Sequence, residues 1–427
     1  MTILHTSDWH LGHILYDHDR SDEQQDCMRQ IVEIVDKRKP DAVVVSGDIF
    51  DRSSPSQTAR EIFINTLIEL RRNNPKMPIV VTAGNHDGKL LLDNDGRIFR
   101  LGGITIVGQV WRKKDGDIDF DRHIIAVHNQ QGEEAGYIVA VPHIYENSYP
   151  RLSDNSQEGN RIQQFFQALL NQVRIRNIHG LPVVLSAHLL LTGSDIAGHE
   201  GSEYDGKLVV GSCENVSQSL LGQGYDYLAL GHIHRPQNVS NSHPMARYCG
   251  TPLPLNFDEE GEHGVTLVSL PAAGGLPVIE AIPLHNLRPL LTLPEHPKTF
   301  AAVVAEMLEF DPMTEAYIRL NVLDDQPLPP DYRYILNNLF KEKKALYCTL
   351  KHNALKTVQD ADSDVAEIEA FTPEQMPTPL QLAQAYYRKR YGSEMSDELV
   401  ALFGQAEAAA RRKAEEGANN NPPQQEE

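Results

Sequence analysis

Short apolar runs alternate with helical periodicity along the first part of the chain. Ile3-Leu4-His5-Thr6 reads as a strand, and Ser7 to His13 as the loop leaving it. Between residues 22 and 38, Met28, Ile31, Val32, Ile34 and Val35 recur at helical spacing, and Pro40 stops the pattern. Asp41 to Asp48 carries the unbroken apolar run of a parallel strand buried on both faces, and it ends on a carboxylate. Residues 57–72 turn helical again through Ile62, Ile64, Leu67, Ile68 and Leu70. Pro78 to Val81 is the next strand, followed at once by Gly84-Asn85-His86-Asp87-Gly88. Strands alternating with helices, each strand closing on polar residues, predict an α/β sheet that binds ligands at its carboxyl rim.

From residue 104 the texture shifts to short β-like runs, Ile104 to Val107, Ile124 to Val127 and Tyr137 to Val141, which suit a second sheet packed on the first. Asn160 to Ile178 is helical through Ile162, Phe165, Phe166, Leu169, Leu170 and Val173. Val183 to His188 is a buried strand with a terminal imidazole, and Tyr225 to His234 is one that closes on two histidines. The polar, Gly-dotted loop from Gly193 to Gly211 is a candidate substrate-contacting lid. β-rich sequence continues to about residue 283, where Pro283 to Pro297, with four prolines, suggests a boundary. A helix (Phe300 to Phe310), a strand (Tyr317 to Val322), a helix (Asp331 to Leu339) and a strand (Ala345 to Leu350) then predict a small α+β unit. Beyond a second break at Pro373 to Pro379, Leu380 to Tyr391 and Asp397 to about Glu416 read as two helices. Residues 417–427 are low complexity and expected to be disordered. The domains expected are therefore 1–283, 284–372, 373–416 and the tail 417–427.

Composition narrows the classes. The chain has 427 residues, of which 41% are hydrophobic and 23% charged, ordinary for a soluble globular protein. A formal net charge of −20 argues against coating nucleic acid through a general basic surface. Cys27, Cys213, Cys249 and Cys348 are scattered without a CxxC pair, so reduced thiols are expected rather than disulfides or a structural zinc site. There is no basic n-region with an apolar h-region and no run near the roughly 20 apolar residues of a membrane span. A cytoplasmic protein is the expectation.

Five strand-end stretches carry candidate chemistry: Asp8 with His10, Asp48, Asn85 with His86, His188, and His232 with His234. Taken singly, each has an ordinary reading as a turn former or cap, and the last pair as a satisfied couple at a sheet rim. Taken together, carboxylates and imidazoles without sulfur suit a pair of divalent ions such as Mn²⁺. The i, i+2 spacing of Asp8/His10 and His232/His234 lets both side chains of an extended segment point the same way. Two divalent ions less Asp8, Asp48 and a bridging hydroxide leave a charge of about +1, matched to a phosphodiester, whose in-line displacement two such ions assist.

Asp8-Trp9-His10, Gly47-Asp48, Gly84-Asn85-His86-Asp87, Ala187-His188 and Gly231-His232-Ile233-His234 resemble the five motifs of the calcineurin-like metallophosphoesterases. More narrowly, His5 to Gly12, Gly47-Asp48-Ile49-Phe50-Asp51 and Tyr248 to Glu259 resemble the SbcD family of bacterial nuclease subunits. The resemblance covers roughly residues 1–375. Ala187 departs from it where Gly is common, and Thr251 and Asn256 where Ser is frequent. It implies a two-sheet αββα sandwich with a small α+β capping domain (284–372) that positions DNA, and C-terminal helices that dock the coiled coil of the ATPase SbcC. It assigns Asp8, His10, Asp48 and His234 to one ion, and Asp48, Asn85, His188 and His232 to the other. It makes His86 a catalytic group facing substrate, with Asp87 orienting it. The implied activity is a Mn²⁺-dependent (Mg²⁺ as substitute) 3′–5′ exonuclease on duplex DNA and endonuclease on single strands, in repair and recombination. Two copies of each subunit are implied, with a nuclease homodimer built on helices within 55–105, working at the nucleoid. Arg52, Lys89, Arg97 and Arg235 are placed either to touch phosphates or as solvated surface. A phosphatase or small-molecule phosphodiesterase, or a scaffold regulating the ATPase, are the alternatives.

Overall fold

The computed structural model describes residues 1–151, 160–196, 215–259, 261–324 and 327–354, then residues 380, 384, 387, 395–396 and 399–404. It divides into two units, Met1–Leu355 and Lys356–Glu427. In the first unit, a six-stranded sheet runs in the order Val278–Pro283, Gly264–Ser269, Thr2–Thr6, Ala42–Ser46, Ile79–Thr82, Ile104–Val107. Its last four strands are parallel and its first two antiparallel. A second six-stranded sheet runs Gln237–Asn238, Met245–Tyr248, Tyr227–Gly231, Val183–His188, Glu134–Val141, Ile124–His128, with the middle four parallel.

The strands are apolar at consecutive positions because both faces are covered. Ile3, Ala42, Val44, Val80 and Val107 point between the sheets and meet Ile138, Ala140, Val184, Tyr227 and Ala229. Their neighbours Leu4, Val43, Val45 and Val81 face outward onto the helices Ser21–Arg38 and Gln57–Asn73. The helix Arg161–Arg176 covers the other sheet's outer face through Phe165, Phe166, Leu169 and Leu170. The result is a four-layer αββα sandwich. Polar groups bridge the sheets near the carboxyl rim: Ser46 Oγ lies 3.1 Å from Ser186 Oγ, and His5 Nδ1 lies 3.1 Å from the Tyr227 hydroxyl.

Two expectations are corrected here. Ile104–Val107 pairs in parallel with Ile79–Thr82 and so belongs to the first sheet, not the second. The proline-rich stretch after 283 is not merely a break, because Leu290–Lys298 is an edge strand, a position that tolerates Pro294 and Pro297. That strand pairs with Tyr317–Asp324, which pairs with Leu346–Ala354, all parallel. The helices Phe300–Glu309 and Tyr332–Phe340 cover this third sheet with a core of Val303, Met307, Ile318, Leu320 and Leu336. The layer lies in the same unit as the sandwich, and the second unit begins at Lys356, inside the span 284–372.

The helix Lys89–Phe99 has no clear signature in the sequence, since Asp93, Asn94, Asp95 and Gly96 interrupt its apolar spacing. Packing explains two of these residues. Buried Asp93 accepts from Gly108 N at 2.9 Å and Trp111 Nε1 at 3.1 Å. Gly96 lets the helix lie on Ile106, whose carbonyl oxygen would be 3.0 Å from an added Cβ. In the second unit, residues 399–404 are helical and Ser396 Oγ accepts from Leu399 N at 3.4 Å. Most of the expected helices 380–391 and 397–416, and the lid segment 197–211, lie outside the described residues, as does the tail. Among the described residues no helix is long and apolar enough to cross a membrane.

The two sheets lie close together at Gly231, where an added Cβ would lie 1.9 Å from the Ser46 carbonyl oxygen. Gly231→Ala is expected to destabilise the fold by roughly 1–3 kcal/mol as an overpacking change. The measurement is the urea midpoint, and a wild-type midpoint would mean that the sheets part there at no cost.

Candidate metal centre

Every one of the five strand-end stretches reaches the same rim. Thr2–Thr6 leads into Asp8 and His10, Ala42–Ser46 into Asp48, and Ile79–Thr82 into Asn85 and His86. Val183–His188 ends on His188, and Tyr227–Gly231 leads into His232 and His234. Asp8, His10, Asp48, His188 and His232 are buried, Asn85 and His234 are half-buried, and His86 is exposed. Donor atoms of Asp8, His10 and His234 all lie within 4.8 Å of one another, as do those of Asp8, Asp48 and His188. His188 Nε2 is 3.3 Å from Asp48 Oδ2 and 2.9 Å from Asn85 Oδ1, and His232 Nδ1 is 3.2 Å from that same Asn85 oxygen. The His10 ring stands 5.0 Å from that of His234, and the His188 ring 5.2 Å from that of His232.

The chemistry of this cluster calls for a cation. His188 Nδ1 donates to the Ser46 carbonyl at 2.9 Å, so in a neutral ring Nε2 carries a lone pair and faces only oxygen acceptors. Among the described residues, neither buried ring nitrogen of His10 has a hydrogen-bond partner. Positive charge in the middle, a proton or a metal ion, resolves both conflicts. Burial opposes protonation of His10, but Asp51, Asp48 and Asp8 outweigh it and push the ring up to about 9. For His188, burial is likewise outweighed by Asp48 and Asp8, again up to about 9. Burial pushes Asp8 up, whereas Asp48, despite burial, is held well below the usual carboxylate range by His188, His10 and His86. Oxygen and imidazole donors without sulfur fit a divalent transition-type ion.

The backbone is bent to converge these groups. Asp8 (φ 52°), His10 (43°), Asp48 (49°) and His232 (109°) all have positive φ, a conformation costing of order 1–3 kcal/mol each for non-glycine residues. Hydrogen bonds hold them there: Asp8 N to Gly47 O at 3.0 Å, His10 N to Asp48 O at 3.1 Å, and His232 N to Asp8 Oδ1 at 2.9 Å. Gly84 is required by space, since an added Cβ would sit 2.0 Å from Asp48 Oδ1.

His86 and Asp87 have different surroundings. The His86 amide donates to Asp48 Oδ1 at 2.9 Å, and its Nδ1 donates to the Asp51 carbonyl at 2.9 Å. Asp87 is buried and accepts from Gly84 N (2.8 Å), Phe50 N (2.9 Å) and Ile49 N (3.1 Å), so its carboxylate clamps two loops together. Sequence reasoning assigned no role to three further neighbours. Glu259 accepts from His234 Nδ1 at 2.8 Å; burial opposes its ionisation, but His234, the Leu255 amide and His263 hold it down to about 2. Asp51 Oδ1 stands 3.5 Å from His10 Nδ1. His143, just past the strand Glu134–Val141, has its Nδ1 3.3 Å from the His188 carbonyl. It follows a strand end in the same way as the other five stretches, a signal the sequence did carry.

Residues 1–236 match the family model described as calcineurin-like phosphoesterase. The SbcD subunit of the SbcCD nuclease of Rhodobacter capsulatus is 32% identical over 340 residues, covering 77% of this chain and 82% of that protein. Proteins of the same name from Escherichia coli (strain K12) and Bacillus subtilis (strain 168) are 26% and 31% identical, over 77% and 63% of this chain and 79% and 66% of theirs. With the motif residues gathered at one rim of the αββα sandwich, the chain belongs to the calcineurin-like phosphoesterases, a family that uses divalent metals, and within it to the SbcD family.

Proposed function

We propose that the chain is the nuclease subunit of an SbcC-partnered complex and hydrolyses DNA phosphodiesters at a two-ion centre. Mn²⁺ is the proposed ion, with Mg²⁺ as a substitute. The activities proposed are a 3′–5′ exonuclease on duplex DNA and an endonuclease on single strands. The observation that carries the reading is the convergence of Asp8, His10, Asp48, Asn85, His188, His232 and His234 from five strand ends onto one buried cluster. One ion is assigned to Asp8, His10, Asp48 and His234, and the other to Asp48, Asn85, His188 and His232. Bound there, the pair would supply an activated hydroxide and offset charge on the phosphoryl oxygens.

The chain's own groups supply the rest. His188 is locked by Ser46 with Nε2 toward the centre, and the Asp8 carboxylate is oriented by Ser7 Oγ at 2.6 Å and His232 N. His86 is exposed and spends Nδ1 on the Asp51 carbonyl, which leaves Nε2 to meet substrate and, when protonated, to donate to the leaving 3′ oxygen. Asp87 is assigned a bracing role, since its two oxygens serve backbone amides.

The nuclease homodimer is supported by apolar side chains left in solvent on and near the helices Gln57–Asn73 and Lys89–Phe99: Ile68 at 50%, Leu90 at 68%, Ile98 at 72% and Leu101 at 92% exposure. Residues 284–372 are proposed to position DNA, and residues 373–416 to dock the coiled coil of SbcC, two copies of each subunit forming the complex. With a net charge of −20, the chain leaves much of the DNA-binding surface to that partner.

Three outcomes follow. His86→Gln should lower Mn²⁺-dependent cleavage of linear duplex DNA by about 10²–10⁴-fold while two ions still bind; loss of metal would reassign the residue, and hydrolysis of monoesters but not DNA by the wild type would defeat the nuclease reading. In metal-free protein, His10 and His188, raised from 6.5 to about 9, are protonated at neutral pH. An ion must displace those protons, so Mn²⁺ affinity should rise with pH from about 6 to 9, with proton release measurable by calorimetry in buffers of different ionisation heat. Deleting residues 373–427 should abolish co-purification with the ATPase and leave metal binding intact.

A further inference from the structure

We propose that Glu259 is a positioning residue for His234, and that the loop carrying it ties this ligand to the third sheet. The inference rests on the assignment of His234 to an ion. His234 lies beyond the end of its strand, on a loop, and its side chain is half-buried, so its ring orientation has to be set by a partner. His234 Nδ1 donates its hydrogen bond to Glu259 Oε1 at 2.8 Å. That bond selects one tautomer and leaves the lone pair on Nε2, the state a metal ligand needs.

The carboxylate is itself held. Oε1 also accepts from Asn256 Nδ2 at 3.1 Å, while Oε2 accepts from Leu255 N at 2.9 Å and Thr251 Oγ1 at 3.3 Å. Its side chain is nearly sealed from solvent. His188 is backed differently, by the neutral carbonyl of Ser46. A full negative charge behind His234 makes its Nε2 the more strongly donating atom, so the two ion positions differ in how their histidines are supported.

The loop is pinned at both ends of its turn. Arg20, fully buried, donates through Nη1 to the Pro254 carbonyl at 2.5 Å. Arg319, in the central strand Tyr317–Asp324 of the third sheet, donates through Nη1 to Asp258 Oδ1 at 2.7 Å and through Nη2 to the Phe257 carbonyl at 3.3 Å. Its guanidinium also lies 5.1 Å from the centre of the Phe257 ring, and Nε donates to Thr292 Oγ1 at 3.1 Å. Arg319 thus grips the residue immediately before Glu259, and a shift of the third sheet is passed through Asp258 and Glu259 to the ring of His234.

The test counts bound Mn²⁺ on the full-length chain by electron paramagnetic resonance, at a temperature where circular dichroism finds each variant folded. Glu259→Gln removes the charge and keeps the size. It should weaken one of the two ions by about 10–100-fold and leave the other unchanged. Asp258→Ala, an exposed position, should weaken the same ion by less. Wild-type binding of both ions in Glu259→Gln, or equal loss at both, would overturn the positioning role. An unchanged Asp258→Ala would overturn the tie to the third sheet. A wild-type chain that binds no Mn²⁺ would instead mean that the metal assignment itself had failed, and the inference with it.

Discussion

Two carboxylates, Asp8 and Asp48, are buried side by side where the sheets meet, and neither can stay ionised there without positive charge beside it. The fold is arranged around that requirement. Four parallel strands of one sheet and four of the other aim their carboxyl ends at one seam. The loops leaving them then surround the carboxylates with imidazoles, two of which, His10 and His188, have their affinity for protons raised by the same negative charge. A divalent metal suits this place because it brings more positive charge than the rings alone and satisfies the lone pairs turned inward.

That arrangement has a conformational cost. Four of the seven proposed ligands have positive φ, and amides of one loop donate hydrogen bonds to acceptors in the next: Asp8 to Gly47, His10 to Asp48 and His232 to Asp8. The site is therefore a property of the assembled sandwich. Gly231 and Gly84 show the same dependence in space rather than torsion, since each marks a point where another element's oxygen occupies the volume a methyl group would need.

Much of this was legible in the sequence. Unbroken apolar runs ending in Asp, Asn or His announced both the buried parallel strands and the residues at their ends, because burial on two faces and chemistry at the rim leave separate marks. What stayed hidden depends on pairing and torsion. Nothing in Ile104–Val107 says which sheet it joins, and the polar run 93–96 masks a helix whose Asp93 is satisfied by Gly108 and Trp111 far along the chain. Glu259 closes the stretch Tyr248 to Glu259 that carries part of the resemblance, yet its partner His234 is 25 residues away and only the folded loop unites them. Asp87 next to His86 suggests a pair, but the chain bends through residues 85–87 and the carboxylate turns to the amides of Gly84, Ile49 and Phe50, while His86 Nδ1 turns to the Asp51 carbonyl.

The clamp made by Asp87 has a mechanical consequence. It fastens the loop of Asn85 and His86 to the loop that leaves Asp48, so the two segments are coupled through one buried carboxylate. A displacement of the His86 backbone would then be shared with Asp48, at the centre of the cluster. The same three bonds of Asp87 fix the spacing between the His86 backbone, whose amide donates to Asp48 Oδ1 at 2.9 Å, and the Asp48 carboxylate.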